Sequence, residues 1–236
     1  MEDEDGRPKR IVTTGDGGMD KKMGGGIPLG SLILIEGASD SGKSVLTQQF
    51  VYGTSTAGFR VTVMTTENTV KSLIRQMMSL NLDIIDYLLL GRLKIFPVKA
   101  QSQVNGAKTF GSLLEAFRTQ RLQDLVVVDS VTTFIAHAPV EEVVAFFEDA
   151  MEYCSNGMTI ALVAHSYAFS ESTLVRIGSM CDAHLRLRTE AVGDRLMKTV
   201  EVAKIRGAQQ TTGNIINFDV DPGVGMRIVP FSRASA

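Results

Sequence analysis

The stretch Gly37-Ala38-Ser39-Asp40-Ser41-Gly42-Lys43-Ser44 follows the G-x-x-x-x-G-K-[ST] pattern of a loop that wraps phosphate groups. The pattern carries weight only in its setting, a buried strand on one side and a helix start on the other. Both are present. Ser31-Leu-Ile-Leu-Ile-Glu36 is a short apolar run of strand type, and Val45-Leu-Thr-Gln-Gln-Phe-Val51 places its apolar residues at helical spacing. Glycines let the backbone curl until successive N–H groups face one anion. The helix start adds unpaired donors and partial positive charge. Lys43 is expected to reach the β- and γ-phosphates of a nucleoside triphosphate and to act on the transferring group, while the Ser44 hydroxyl binds Mg2+. Gly37, Ser39, Asp40, Ser41, Gly42 and Val45 complete the expected phosphate-binding set.

Upstream, residues 11–30 are rich in glycine, from Gly15-Asp-Gly-Gly18 to Gly24-Gly-Gly-Ile-Pro-Leu-Gly30. This is turn chemistry, with room for a short helical turn over Met19–Met23. Downstream, the first helix is expected to end near Gly58. A strand over 60–66 follows, then a helix over 70–80 capped by Thr69, with Leu73, Ile74 and Met77 on one face. Next come a short helical piece over 83–89, a strand over 93–98 and a polar loop over 101–108. Leu113, Leu114 and Phe117 mark another helix before the strand Leu125-Val-Val-Val128, closed by Asp129. Pro139 opens a helix whose stripe is Val140, Val143, Val144, Phe147 and Met151, and the strand over 158–164 ends at His165.

Continuous apolar runs suit parallel strands covered on both faces. From Asp182 on, helix signals fade and short strands dominate, over 183–187, 198–205, 215–220 and 226–229, with turns at 192–194 and 221–223. The fold class is therefore α/β: a mostly parallel central sheet flanked by helices, with an antiparallel C-terminal meander at its edge. One domain over 11–236 is expected behind a flexible, charged lead-in over 1–10.

Composition narrows the function classes. A net charge of −2 with scattered Lys and Arg argues against a dominant nucleic-acid surface. The two cysteines, Cys154 and Cys181, form no metal-ligand spacing and fit reduced thiols. No apolar run approaches the roughly 20 residues that span a bilayer. The start of the chain, Met1 to Arg10, has no apolar core of the signal-peptide kind.

In parallel α/β sheets ligands gather at the carboxyl ends of the strands. Besides the phosphate loop, Glu67, Asp129 and His165 sit at such ends. Asp129, after four apolar residues, is the expected second Mg2+ residue. Glu67 is the candidate to orient or deprotonate an attacking water, or else caps the next helix. His165 is the candidate to sense a γ-phosphate, or else a buried, satisfied histidine. His137 and His184 receive no role.

Thr14-Gly15 through Gly24-Gly-Gly-Ile-Pro-Leu-Gly-Ser31 and the phosphate loop resemble the opening of KaiC-type ATPases of the RecA superfamily. Thr66-Glu67-Asn68, Leu125 to Asp129 and Lys204-Ile205-Arg206-Gly207 are similar to further motifs of that family, in the same order. The resemblance runs from about Ile11 to the C-terminus. With one such domain and an acidic lead-in, the chain is most similar to the KaiC-like accessory ATPases of the archaeal flagellum (archaellum) motor. The resemblance implies a RecA-like P-loop NTPase core with ATP and Mg2+ as ligands, and hexameric rings with ATP between protomers. In such rings Lys204 and Arg206 would reach the neighbour's γ-phosphate; from the residues alone they are also exposed strand charges. The resemblance further implies contact with the archaellum motor ATPase and its membrane platform protein. The chain would be cytoplasmic, peripherally associated with the membrane-embedded motor, and would take no nucleic acid.

One departure bears on turnover. Many KaiC-type domains carry two adjacent glutamates after the second strand, and here Glu67 is followed by Asn68. An amide cannot take a proton from water as a carboxylate does. Firm ATP binding with slow or absent hydrolysis is expected, as suits a nucleotide-gated regulator. Two rivals share the core. A recombinase-like DNA-dependent ATPase would use Tyr167, Phe169 and Arg176 after His165, although Glu171 is there too and 130–140 has no Lys or Arg. A KaiC-type autokinase would modify a Ser or Thr such as Thr211 or Thr212.

Overall fold

The computed structural model describes residues 10–98, 107–136, 138–192, 195–210 and 212–230. The chain forms β1 (Ile11–Val12), α1 (Gly17–Lys22), β2 (Ile27–Pro28), β3 (Leu32–Gly37), α2 (Lys43–Thr56), β4 (Val61–Thr65) and α3 (Val70–Ser79). It continues with α4 (Ile85–Leu89), β5 (Leu93–Pro97), α5 (Ala107–Thr119), β6 (Leu125–Asp129), α6 (Thr132–Ile135), α7 (Val140–Ser155) and β7 (Thr159–His165). The last elements are a 3-10 turn (Ser166–Ala168), α8 (Glu171–Met180), β8 (Ala183–Val192), β9 (Arg195–Ile205), β10 (Ile215–Asp221) and β11 (Gly225–Ile228).

A nine-stranded sheet runs in the order β11-β10-β9-β8-β3-β7-β6-β4-β5, while β1 and β2 make a separate antiparallel pair. Alternation along β3 divides its side chains between two cores. Ile33 and Ile35 face α2 and α3, with Leu46, Phe50, Leu73 and Met77. Leu32 and Leu34 face α5, α7 and α8, with Phe117, Phe146, Phe147 and Ile177. The central strands β3, β4, β6 and β7 are buried on both sides, as continuous apolar strands require.

Several expectations change in detail. β8 is the strand that joins the two parts of the sheet: it pairs parallel to β3, with Ile33 opposite Ala183, and antiparallel to β9, where the meander begins. α8 is a helix in a stretch to which the sequence assigns no element. On α7 the buried face is Val143, Val144, Phe146, Phe147, Ala150 and Cys154, while Val140 is 45% exposed and Met151 is half-buried. Phe146 turns inward because it stacks on Phe110 at 4.7 Å and meets Phe147 edge-on at 5.7 Å. Pro139 is the cap of α7. Ala107 and Lys108 belong to α5, whereas residues 1–9 and 101–106, His137, the turn at 193–194 and Thr211 lie outside the described residues.

The glycine-rich opening is packed. Asp20, only 2% exposed, accepts from the Thr14 backbone N–H (2.9 Å), the Thr14 hydroxyl (2.7 Å) and the Thr13 hydroxyl. This folds the segment onto α2 at Gly53, where an added Cβ would stand 2.3 Å from the Gly15 nitrogen. Gly53→Ala is therefore expected to destabilise the chain by about 1–3 kcal/mol, read as a lower urea midpoint at unchanged slope.

Candidate nucleotide site

β3 delivers the phosphate loop and α2 receives it. Gly42 caps α2 at φ +97°, a left-handed value that suits glycine. A Cβ there would also meet the Phe218 ring of β10 at 2.7 Å. The meander thus supports the loop from beneath, and Lys198 of β9 donates to the Asp40 carbonyl at its apex. Lys43 folds over the loop, donating to the carbonyls of Gly37 (3.0 Å) and Ala38 (2.6 Å) and lying 3.4 Å from His165 Nδ1.

Hydroxyls bind the ends of β4, β6 and β7 together. The Thr66 N–H donates to the Asp129 carbonyl at 2.9 Å, and its hydroxyl exchanges hydrogen bonds with the Ser130 backbone at 3.1 Å. The Thr132 hydroxyl accepts from the His165 N–H at 2.9 Å and contacts the Ser130 hydroxyl at 2.7 Å. These bonds hold Asp129 and His165 beside each other at the cleft.

The cleft, about 440 Å3, is lined by Ser39, Asp40, Gly42, Lys43, Ser44, Val45, Glu67, Asp129, Ser130, His165, Lys198 and Val220. Glu67 does not cap α3. Thr69 does so in a reciprocal pair with Ser72, which leaves Glu67 in the cleft 3.9 Å from His165 Nε2. Asn68 turns away, its Oδ1 accepting from Ser72 (3.2 Å) and Gln76 (3.0 Å) of α3. Gly37 and Ser41 form the floor of the loop, where Ser41 is fully buried with an unpartnered hydroxyl. A larger groove, about 660 Å3, lies by Leu114, Arg121, Tyr153 and Met158 at the amino ends of the strands, without a phosphate loop. The smaller cleft gathers Lys43, Glu67, Asp129 and His165.

Lys204 and Arg206 stand elsewhere. Lys204 pairs with His184 near the start of β8, whereas Gly37 pairs with Leu187. The three-residue step from His184 to Leu187 is about 10 Å of strand. Both cations close the carboxyl end of α8: Lys204 on the carbonyls of Gly178 (3.0 Å) and Ser179 (2.9 Å), Arg206 on Ser179 (3.0 Å) and Asp182 (3.1 Å). They do not join the cleft of their own chain.

Electrostatics fit an anion held with a divalent cation. Burial pushes the Asp129 carboxyl up to about 7, helped by Glu67 and opposed by Lys43. Burial pulls Lys43 below its ordinary range, against Asp129 and Glu67. Burial and Lys43 lower His165, so it presents a neutral imidazole at pH 7. A phosphate chain would supply further negative charge that favours the Lys43 ammonium. Hydroxyl and carboxylate oxygens from Ser44 and Asp129 are the hard donors that Mg2+ prefers.

Residues 12–232 match the family described as "ATPase: KaiC". The "Archaeal flagellar ATP-binding protein FlaH" of Sulfolobus acidocaldarius is 31% identical over 230 residues, 96% of this chain and 100% of the relative. The chain belongs to the KaiC ATPase family, in its FlaH branch. The FlaH of Methanocaldococcus jannaschii is 32% identical over 216 residues, 89% of this chain and 91% of the relative. The crystal structure of the flagellar accessory protein FlaH from M. jannaschii superposes with a TM-score of 0.81 at 28% identity, covering 95% of this chain and 100% of that one. A KaiC-like core accounts for the sheet, the phosphate loop and the order of the motifs.

The FlaH-type chain has three cleft residues that its local sequence did not announce: Ser130, Lys198 and Val220. Ser130 had a signal in following Asp129; the other two arrive through pairing of β9 and β10. Phe169 is 9% exposed and packs in the core, while Tyr167 stacks on His165 at 5.2 Å, so these aromatics do not form a surface pair for bases. Cys154 and Cys181 are buried free thiols. No helix among the described residues is long and apolar enough to cross a membrane.

Proposed function

We propose that the chain is an ATP-binding regulatory protein of the archaellum motor, in which Mg-ATP on the phosphate loop gates assembly with the motor ATPase and its membrane platform protein. Hydrolysis is slow or absent. The observation that carries this reading is at position 68, where an asparagine stands in place of a second glutamate and turns its amide into α3, so that only Glu67 of the pair enters the cleft. Lys43 holds the phosphates, and Ser44 and Asp129 hold Mg2+. That ion, when bound, neutralises charge on the β- and γ-oxygens. Glu67 orients water, and the neutral His165 can donate to a γ-phosphate. Lys198 and Val220 close the cleft from the meander.

Lys204 and Arg206 act on a neighbour's nucleotide in a ring, since their strand end is remote from the cleft of their own chain. Arg206→Ala is then expected to leave ATP affinity of the isolated chain within about threefold while removing ATP-dependent self-association seen by sedimentation.

Calorimetric titration of ATP with and without Mg2+, paired with phosphate-release assays, tests the reading. It expects Mg2+-dependent saturation at one ATP per chain and turnover well below the ordinary enzyme median of about 10 per second. No binding, or turnover at that median, contradicts it.

A further inference from the structure

Glu36 is the last side chain before the phosphate loop and is 5% exposed. A carboxylate buried this deep in a strand persists only with partners. Its partners come from two directions. The Ser166 hydroxyl donates to Oε2. From β8, His184 Nε2 stands 3.6 Å and Arg186 Nε 3.4 Å from Oε1. Arg186 reaches on to Glu201 of β9 at 3.4 Å, and Arg188 joins Glu201 at 3.2 Å. Burial alone would raise the Glu36 carboxyl, but His184 and Arg186 beside Oε1 and the Ser166 hydroxyl on Oε2 hold it below its ordinary range.

The placement gives this pair its meaning. Glu36 directly precedes Gly37, and Ser166 directly follows His165, which lies 3.4 Å from Lys43 Nζ. One carboxylate joins the root of the loop that would hold the phosphates to the root of the segment that would face the last of them. An apolar pair could fill the same volume. It would not fix the spacing with a directional bond to an ionised acceptor.

We propose that Glu36 and Ser166 are positioning residues for nucleotide discrimination: their hydrogen bond sets His165 where it meets a triphosphate and misses a diphosphate. The Arg186–Glu201 pair braces Glu36 from β9. This rests on the reading of the cleft as an ATP site.

The test is calorimetric affinity for ATP and for ADP, both with Mg2+, together with the melting temperature of the nucleotide-free chain. Ser166→Ala is expected to keep ADP affinity within about twofold and to weaken ATP about tenfold. Melting should stay within about 3 °C. Ser166→Thr, which keeps the hydroxyl, should restore the ATP-to-ADP ratio. Glu36→Gln should lower that ratio in the same direction, and Arg188→Gln, at the solvent end, should leave it alone. A Ser166→Ala variant that weakens both nucleotides equally, or neither, overturns the proposal. A wild-type chain that binds ATP and ADP equally overturns it while leaving nucleotide binding intact. One that binds neither overturns the ATP-site reading as well.

Discussion

Lys43→Ala is expected to weaken ATP binding by about a hundredfold or more, the scale set by removing one partner of a buried charge pair. Nothing near it can substitute. Lys198 is committed to the Asp40 carbonyl, and Lys204 and Arg206 to the end of α8. The nucleotide-free chain should stay folded, because burial already works against the Lys43 ammonium and its bonds go to loop carbonyls. Association with the motor ATPase should fall with ATP affinity. Calorimetry and co-purification on the same variant check both halves. Partner binding that survives intact would separate assembly from the nucleotide.

Asp129→Asn is expected to act in opposite directions on binding and on stability. Its carboxyl, pushed up to about 7, sits well above the ordinary carboxylate value because it is buried and faces Glu67. In a group of this kind the stability it contributes is fully present below the unfolded value near 4 and is lost as pH rises through about 7. The folded chain therefore bears a buried carboxylate at pH 8 on the order of 2–4 kcal/mol less favourably than the unfolded chain. Asparagine removes that cost. The variant should melt higher than wild type at pH 8, with the gap shrinking towards pH 5, measured without nucleotide. It should also lose the Mg2+ dependence of ATP binding, since a neutral amide oxygen replaces the charged ligand. A variant that melts lower than wild type at both pH values would contradict the burial argument.

Much of the cleft could be read from the chain because its parts lie at strand ends. The phosphate loop, Glu67, Asp129 and His165 each follow an apolar run, and a parallel sheet brings the carboxyl ends of such runs together. The rest of the cleft depends on pairing between distant strands. Lys198, Val220 and the Phe218 ring under Gly42 reach the cleft because β9 and β10 curl back past β8, and no local pattern fixes that register. The direction of β8 is similarly silent, since alternation has the same period in parallel and antiparallel strands. Asp20 sits in a glycine-rich segment that looks like a turn until its carboxylate is seen binding Thr13 and Thr14. Glu36 ends an apolar run in the sequence, and only the fold brings Ser166, His184 and Arg186 to it. Lys204 and Arg206 were visible as a motif, but their distance from the cleft appears only in the register of β8 and β9.

The central claim is that nucleotide at Gly37 to Ser44 governs what the chain assembles with. Sedimentation velocity of the chain mixed with the archaellum motor ATPase, run with Mg-ATP, with Mg-ADP and without nucleotide, tests it most directly. The account predicts a joint, faster-sedimenting species with Mg-ATP that Lys43→Ala does not form. The same joint species in all three conditions, or in none, would contradict it.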